Sequence, residues 1–325
     1  MKQSNPTVIF LLKILVSVGL MVFLISRIDV NRFLRVISSA HLSYLGVALT
    51  GYFLGQIISS IRWAILARPL GFRNPIKEFT LFYLIGMFFN LLAPSTVGGD
   101  VGRVFYLARD GNHDQRTKWL GSTAPAVASV IMDRAIGMAV MVWIGALALL
   151  VFPQYSLPAF IRYPTFVIAL GLICGWMLLS PINKYFRGRE HPVVKKLSLV
   201  LETYQNHRQV VMQAMIFSLV VHLIQAWIQI LLGQALDVQI PWSFSLILYP
   251  LVGLFSALPV SFSGFGLREG SYLFLLPTIG ISPEKAITVG LIWFIIVAFD
   301  SLIGGAVFIL RKNSLPSPLA SKIEN

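Results

Sequence analysis

The sequence predicts an all-α polytopic membrane protein with about six full spans plus two re-entrant, broken helical hairpins. Three observations predict it. First, charged residues are 12% of the 325 and hydrophobic residues 56%, whereas a soluble domain carries about 25% charged residues. So few charges cannot solvate a globular surface, and so much apolar residue excludes a disordered chain. Second, six runs approach the ~20 apolar residues that cross a bilayer. Third, two further apolar stretches are interrupted by Gly and Pro.

The six runs are Val8–Ser26, Leu42–Leu66, Ala124–Phe152, Thr165–Ser180, Val210–Leu232 and Ile287–Leu310. Val8–Ser26 lacks a small-x-small cleavage site and is followed by Arg27 and Asp29, so it reads as a retained anchor. The broken stretches are Phe79–Ala93, which runs into Pro94 and a Gly cluster, and Phe244–Pro277, which carries Pro250, Pro259, Gly264 and Gly266. Irregular backbone at membrane depth survives only against protein or a wet cavity. Both stretches are therefore read as re-entrant. Residues 1–311 form a single transmembrane domain, and 312–325 a short disordered cytoplasmic tail.

Orientation follows from the basic residues, 26 Lys and Arg against 13 Asp and Glu. With the N-terminus inside, segments 1–7, 62–120, 183–209 and 311–325 hold 18 of them, and the outside segments 27–41, 153–163 and 233–286 hold 6. Cytoplasmic loops collect Lys and Arg. Both termini are thus expected in the cytoplasm and the chain in the cell inner membrane. The basic excess needs no nucleic-acid partner.

The broken stretches resemble each other. Pro94-Ser-Thr-Val-Gly-Gly-Asp-Val-Gly-Arg103 and Pro259-Val-Ser-Phe-Ser-Gly-Phe-Gly-Leu-Arg268 both place Gly five and Arg nine positions after Pro. Asp100 and Glu269 lie close to those arginines. Trp63 and Trp227 precede the prolines by 31 and 32 residues, and Asp133 and Asp300 follow the arginines by 30 and 32. Segments 42–152 and 210–311 then read as two copies of helix, broken hairpin, helix. They begin on opposite sides, the pattern of an inverted-topology repeat.

These motifs suit an anionic ligand. Glycine lets backbone N–H groups approach closely, helix N-termini favour anions, and arginine offers a planar fork for phosphate. Each Arg can instead pair with its local acid and close the hairpin. Asp133-Arg134 interrupts an apolar run, where a charge costs about 2.5–3.5 kcal/mol on insertion scales. Asp133 and Asp300 are candidates for ion coupling. His222, Gln225 and Gln229 share one helix face and read as interhelical hydrogen-bond formers.

Cys174 alone forms no internal disulfide or thiolate metal site. No P-loop, Rossmann unit, metal-binding His pair or nucleophile elbow occurs. No catalytic residue, metal site or cofactor is expected.

Taken together, Arg62-Trp63, Phe88-Phe89-Asn90, Pro94-Ser95, Gly98-Gly99-Asp100-x-x-Arg103, Asp133-Arg134, and Pro259 to Gly264-x-Gly266-x-Arg268-Glu269 resemble the transmembrane, flippase-like region of lysylphosphatidylglycerol synthases. The resemblance covers about residues 8–311. It implies site residues Arg62, Asn90, Gly98, Gly99, Asp100, Arg103, Asp133, Arg134, Gly264, Gly266, Arg268 and Glu269. A soluble aminoacyl transferase domain follows this region in full-length synthases. The sequence ends at Asn325 without one, so the expectation is the lipid-translocating half.

The expected function is a flippase or transporter for a phosphate-bearing lipid, with membrane lipids as partners and homo-oligomerisation left open. Two alternatives stand beside it: a membrane enzyme transferring a sugar or other group to a lipid carrier, and an accessory subunit of a lipid pathway.

Overall fold

The computed structural model describes residues 15, 18–19, 22–23, 30–92, 97–109, 123–186, 192–258, 261 and 264–312. Eleven α-helices occur among them. They are α1 (Val30–Ser38), α2 (Leu42–Ala67), α3 (Ile76–Leu92), α4 (Val97–Arg109), α5 (Thr123–Val151), α6 (Ala159–Phe186), α7 (Pro192–Asn206), α8 (Arg208–Ala235), α9 (Trp242–Ser256), α10 (Leu267–Leu275) and α11 (Pro283–Lys312). Among the described residues there is no strand.

Among the described residues, five helices are long and apolar enough to cross a membrane: Leu42–Leu70, Thr123–Val151, Ala159–Leu178, Arg208–Ala235 and Pro283–Arg311. They match five of the six expected spans. The sixth, Val8–Ser26, lies mostly outside the described residues, as does the tail after Lys312. Exposed Leu, Ile, Val and Met side chains cover the bundle's circumference: Leu54, Ile131, Leu147, Val167, Met177, Ile295 and Leu302 are examples. Polar groups sit inside instead. Only a lipid solvent makes that arrangement stable, since hydrocarbon cannot satisfy polar groups.

Both broken stretches form pairs of short helices. α3 has 17 residues, α4 13, α9 15 and α10 9, so at 1.5 Å per residue they run about 25, 20, 22 and 14 Å. None reaches the ~30 Å of a hydrocarbon core alone.

Two stretches depart from the expected loops. The stretch 27–41 contains α1, and 183–209 contains α7. Apolar residues recur at helical spacing in α7 (Leu197, Val200, Leu201, Tyr204), a pattern hidden by the surrounding charges. Tyr204 is buried and donates its hydroxyl to the Leu66 carbonyl, 2.9 Å away, pinning α7 under α2.

The packing is built on two antiparallel contacts. α2 and α8 pass in opposite directions, pairing His41 with Asp237, Gly51 with Ile228, Gly55 with Gln225, and Arg62 with Ser218. α3 runs antiparallel to α11, with Glu78 paired to Arg311. A Cβ at Gly304 would collide with the Leu84 carbonyl, so only glycine permits that approach. α5 packs on α9 through Gly145 against Pro250 and Met141 against Gly253. The remaining helix contacts include α2 with α3 and α5, α4 with α3 and α5, α8 with α5 and α9, α10 with α9 and α11, and α11 with α2 and α8.

Candidate functional site

Five charged side chains from three helices form one network at the first broken hairpin. Arg62 of α2 donates from Nε to Asp133 Oδ1 of α5 at 2.8 Å, and from Nη1 to Ser218 Oγ of α8 at 2.8 Å. Arg103 of α4 donates from Nη2 to the other oxygen, Asp133 Oδ2, at 2.7 Å. Its Nη1 lies 3.6 Å from Asp100 Oδ1. Arg134 donates from Nε to both Asp100 oxygens, at 3.1 and 2.9 Å. The chain of contacts runs Arg62, Asp133, Arg103, Asp100, Arg134. These five side chains are three guanidiniums and two carboxylates.

Each position follows from local structure. Asp133 and Arg134 are adjacent on α5, so they project about 100° apart. Asp133 turns into the bundle and is buried, while Arg134 keeps 40% of its side-chain surface accessible. Arg103 is clamped between aromatic faces, with Cζ 4.2 Å from the Trp63 ring centroid and 4.4 Å from that of Tyr83. Each cation–π contact of this kind is worth about 0.5–2 kcal/mol. Trp63 is itself held by its Nε1–H, donated to Ser129 Oγ at 3.1 Å.

Gly99 lets the hairpin close. A Cβ there would strike the Gly86 carbonyl oxygen, and its N–H donates to Asn90 Oδ1 at 2.8 Å. Gly98 opens the same first turn of α4. The loop between α3 and α4, residues 93–96, lies outside the described residues.

The second hairpin carries the same residue types in a different arrangement. Gly264 and Gly266 have φ of +77° and +85°, a region side-chain-bearing residues rarely adopt. Gly266 caps α10 and donates its N–H to Glu269 Oε2 at 2.7 Å. Arg268 donates from Nε and Nη2 to Glu269 Oε1, at 2.9 and 2.7 Å. The anion-attracting end of α10 is thus occupied by its own carboxylate. Arg268 also lies 5.0 Å above the Phe294 ring.

Asp300 is 1% exposed on α11, and neither carboxylate oxygen has a hydrogen-bond partner among the described residues. Tyr52, Tyr83 and Tyr249 lie between the two charged groups. Tyr52 is within electrostatic reach of Asp300, Arg268, Tyr83 and Tyr249, and the latter two are within reach of Arg62.

The structure therefore brings Arg62, Asp100, Arg103, Asp133 and Arg134 together, gathers Gly264, Gly266, Arg268 and Glu269 separately, and leaves Asp300 apart from both. Sequence reading missed Ser218 and the three tyrosines. A signal existed for two of them: Tyr83 precedes Pro94 by 11 residues and Tyr249 precedes Pro259 by 10. His222 and Gln229 make the expected interhelical bonds, to the Gly137 carbonyl at 2.8 Å and from the Tyr272 hydroxyl at 2.6 Å.

The sequence profile described as "Lysylphosphatidylglycerol synthase TM region" matches residues 10–304. A curated relative, the UPF0104 membrane protein MJ1595 of Methanocaldococcus jannaschii, is 26% identical over 109 residues. That alignment covers 33% of this chain and 31% of the relative, so the match spans about a third of either length.

Proposed function

The chain belongs to the lysylphosphatidylglycerol synthase TM-region family, and on that premise we propose that it moves a phosphate-bearing lipid across the cytoplasmic membrane. The observation that carries this reading is the network of three arginines and two aspartates at the first hairpin. Its five named side chains carry three positive and two negative charges inside a membrane-spanning bundle, and Arg134 keeps 40% of its side-chain surface accessible. A buried excess cation is unfavourable without an anion nearby. A phosphodiester supplies that anion, and guanidinium matches its geometry. The family's name points to a phosphatidylglycerol-type head group. Acyl chains would remain in the bilayer.

In this reading the two broken segments are re-entrant hairpins, and the two halves are inverted repeats. Exchange α2 with α8, α3 with α9, α4 with α10 and α5 with α11. The helix contacts described above then map onto one another, and α2 runs opposite to α8. That correspondence supports the repeat.

The basic residues support N-in, C-in orientation. Arg62, Arg103 and Arg268 are buried and carry no loop signal. Removing them leaves 16 against 5, still favouring the same side.

The test is reconstitution. Purified protein in phosphatidylglycerol-containing liposomes should invert a head-group-labelled phospholipid, read by the accessibility of the label to an impermeant quencher. Arg103→Ala should abolish inversion while the protein still inserts. Unchanged inversion by well-folded Arg103→Ala and Arg134→Gln would sink the assignment.

A further inference from the structure

Asp300 stands on the inward face of α11 with Trp293 and Ile296, seven and four residues before it, and Gly304 four after. Trp293 meets the Tyr52 ring at 5.4 Å, and Gly304 abuts α3, so this face looks into the bundle centre. The end of α11 and the start of α5 lie on the same side, since Arg311 meets Glu78 near the end of α2 and Arg62 meets Asp133. Counted along the helices, Asp133 lies about 15 Å and Asp300 about 18 Å from that side. The two aspartates share one layer.

Their surroundings differ. Asp133 neutralises two guanidiniums. Asp300 has no hydrogen-bond partner for either oxygen among the described residues. The titratable and charged groups on the helices packed against it are engaged elsewhere, exposed or uncharged. α2 carries Tyr52, an exposed Tyr44, and Arg62, which is bonded to Asp133 and Ser218. α3 carries Tyr83, an exposed Lys77, and Glu78 at the far end joined to Arg311. α10 supplies Arg268 and Glu269, which are joined to each other, and Tyr272, bonded to Gln229. On α8, His222 is bonded to the Gly137 carbonyl and Arg208 is exposed, as is Arg35 on α1. Among the described residues, no cation pairs with Asp300.

The charge count gives the consequence. The inward-facing set is Arg62, Arg103, Arg134 and Arg268 against Asp100, Asp133, Glu269 and Asp300. With Asp300 ionised the set is neutral. With Asp300 protonated these eight side chains sum to one positive charge, since Arg268 and Glu269 cancel and Arg62, Arg103 and Arg134 stand beside Asp100 and Asp133.

We propose that Asp300 is a proton-binding site coupled to anion occupancy of the arginine network, taking up one proton from water as a phosphate-bearing head group enters and releasing it as the head group leaves. The proton forms an O–H bond on the carboxylate, and no other bond changes. Binding the anion favours the protonated carboxyl by removing like-charge repulsion. Protonation favours the anion by the same factor, because coupling between sites is reciprocal. The inference rests on the phosphate-lipid reading above, and it assigns the proton to Asp300 rather than to Asp133.

The experiment measures binding of a soluble short-chain phosphatidylglycerol to the full-length protein in nanodiscs of uncharged lipid, over about pH 5 to 9. The phosphodiester keeps its single charge throughout. Wild type should bind at least about tenfold more tightly at the acid end, a coupling within the usual range, and should take up protons from weakly buffered solution on binding. Asp300→Asn imitates the protonated carboxyl. It should bind tightly at every pH, with no slope and no proton uptake. A wild-type slope retained in Asp300→Asn overturns the proposal. So does wild-type binding without slope or uptake, a measurement that needs no variant. Absence of wild-type binding at every pH overturns the lipid reading together with this inference.

Discussion

Asp133 and Asp300 follow Arg103 and Arg268 at nearly the same distance in sequence, yet their chemistry is opposite. Asp133 is held by Arg62 and Arg103 from two other helices. Among the described residues no group bonds Asp300, because Arg268 bonds its own neighbour Glu269 and the position matching Arg62 is Ala226, one before Trp227. The difference teaches that one sequence pattern serves two purposes. At the first hairpin the arginine reaches across the bundle and builds a shared charged site. At the second it closes a local turn and leaves a carboxylate alone.

The comparison can be broken by paired substitutions. The largest difference is expected at the aspartates themselves. Asp133→Asn strands two buried guanidiniums and should cost about 3–5 kcal/mol, read as a large fall in melting temperature of the detergent-solubilised protein. Asp300→Asn should lower stability not at all. Equal losses in both would contradict the pairing.

Next comes helix packing. Gly304→Ala drives a methyl group into the Leu84 carbonyl, and should cost about 1–3 kcal/mol. Gly145→Ala meets only the Pro250 side chain, with its Cβ 2.9 Å away, and should cost visibly less in the same melting assay. A reversed order would show that α3 and α11 adjust more freely than their close contact implies.

Smaller effects separate the tryptophans. Trp63 is fully buried, bonded to Ser129 and stacked on Arg103, whereas Trp227 is 43% exposed. Trp63→Phe should cost about 1 kcal/mol through the lost hydrogen bond. Trp227→Phe should be silent. A thermal-shift series on the two variants would resolve them.

Much of the fold was legible from composition and apolar run length, because a bilayer imposes both directly. Five spans fell where their hydrophobic runs lie. The helix α6 begins six residues before Thr165, at Ala159, and runs through Pro164, which gives up one backbone hydrogen bond inside it. The helix α7 was masked by its charges. The site residues were legible as types: Arg62, Asp133 and Arg103 stood out as ionisable groups in or beside apolar runs. Their partners were not. Arg103 had Asp100 three residues away and Asp133 thirty away, and only the helix arrangement decides between them. Likewise nothing in the sequence near Ser218 marks it as a neighbour of Arg62, and the repeat spacing that singles out Tyr83 does not say which arginine it meets, since those contacts span helices.

The central claim is that the first hairpin's arginine network, not the second hairpin's arginine, holds the lipid phosphate. Lipid inversion in proteoliposomes tests it most directly, comparing Arg134→Gln with the charge-neutral double variant Arg268→Gln/Glu269→Gln. Loss of one charge-assisted contact predicts that Arg134→Gln slows inversion at least about tenfold, while the double variant stays close to wild type. Wild-type inversion in Arg134→Gln, with loss in the double variant, would contradict it.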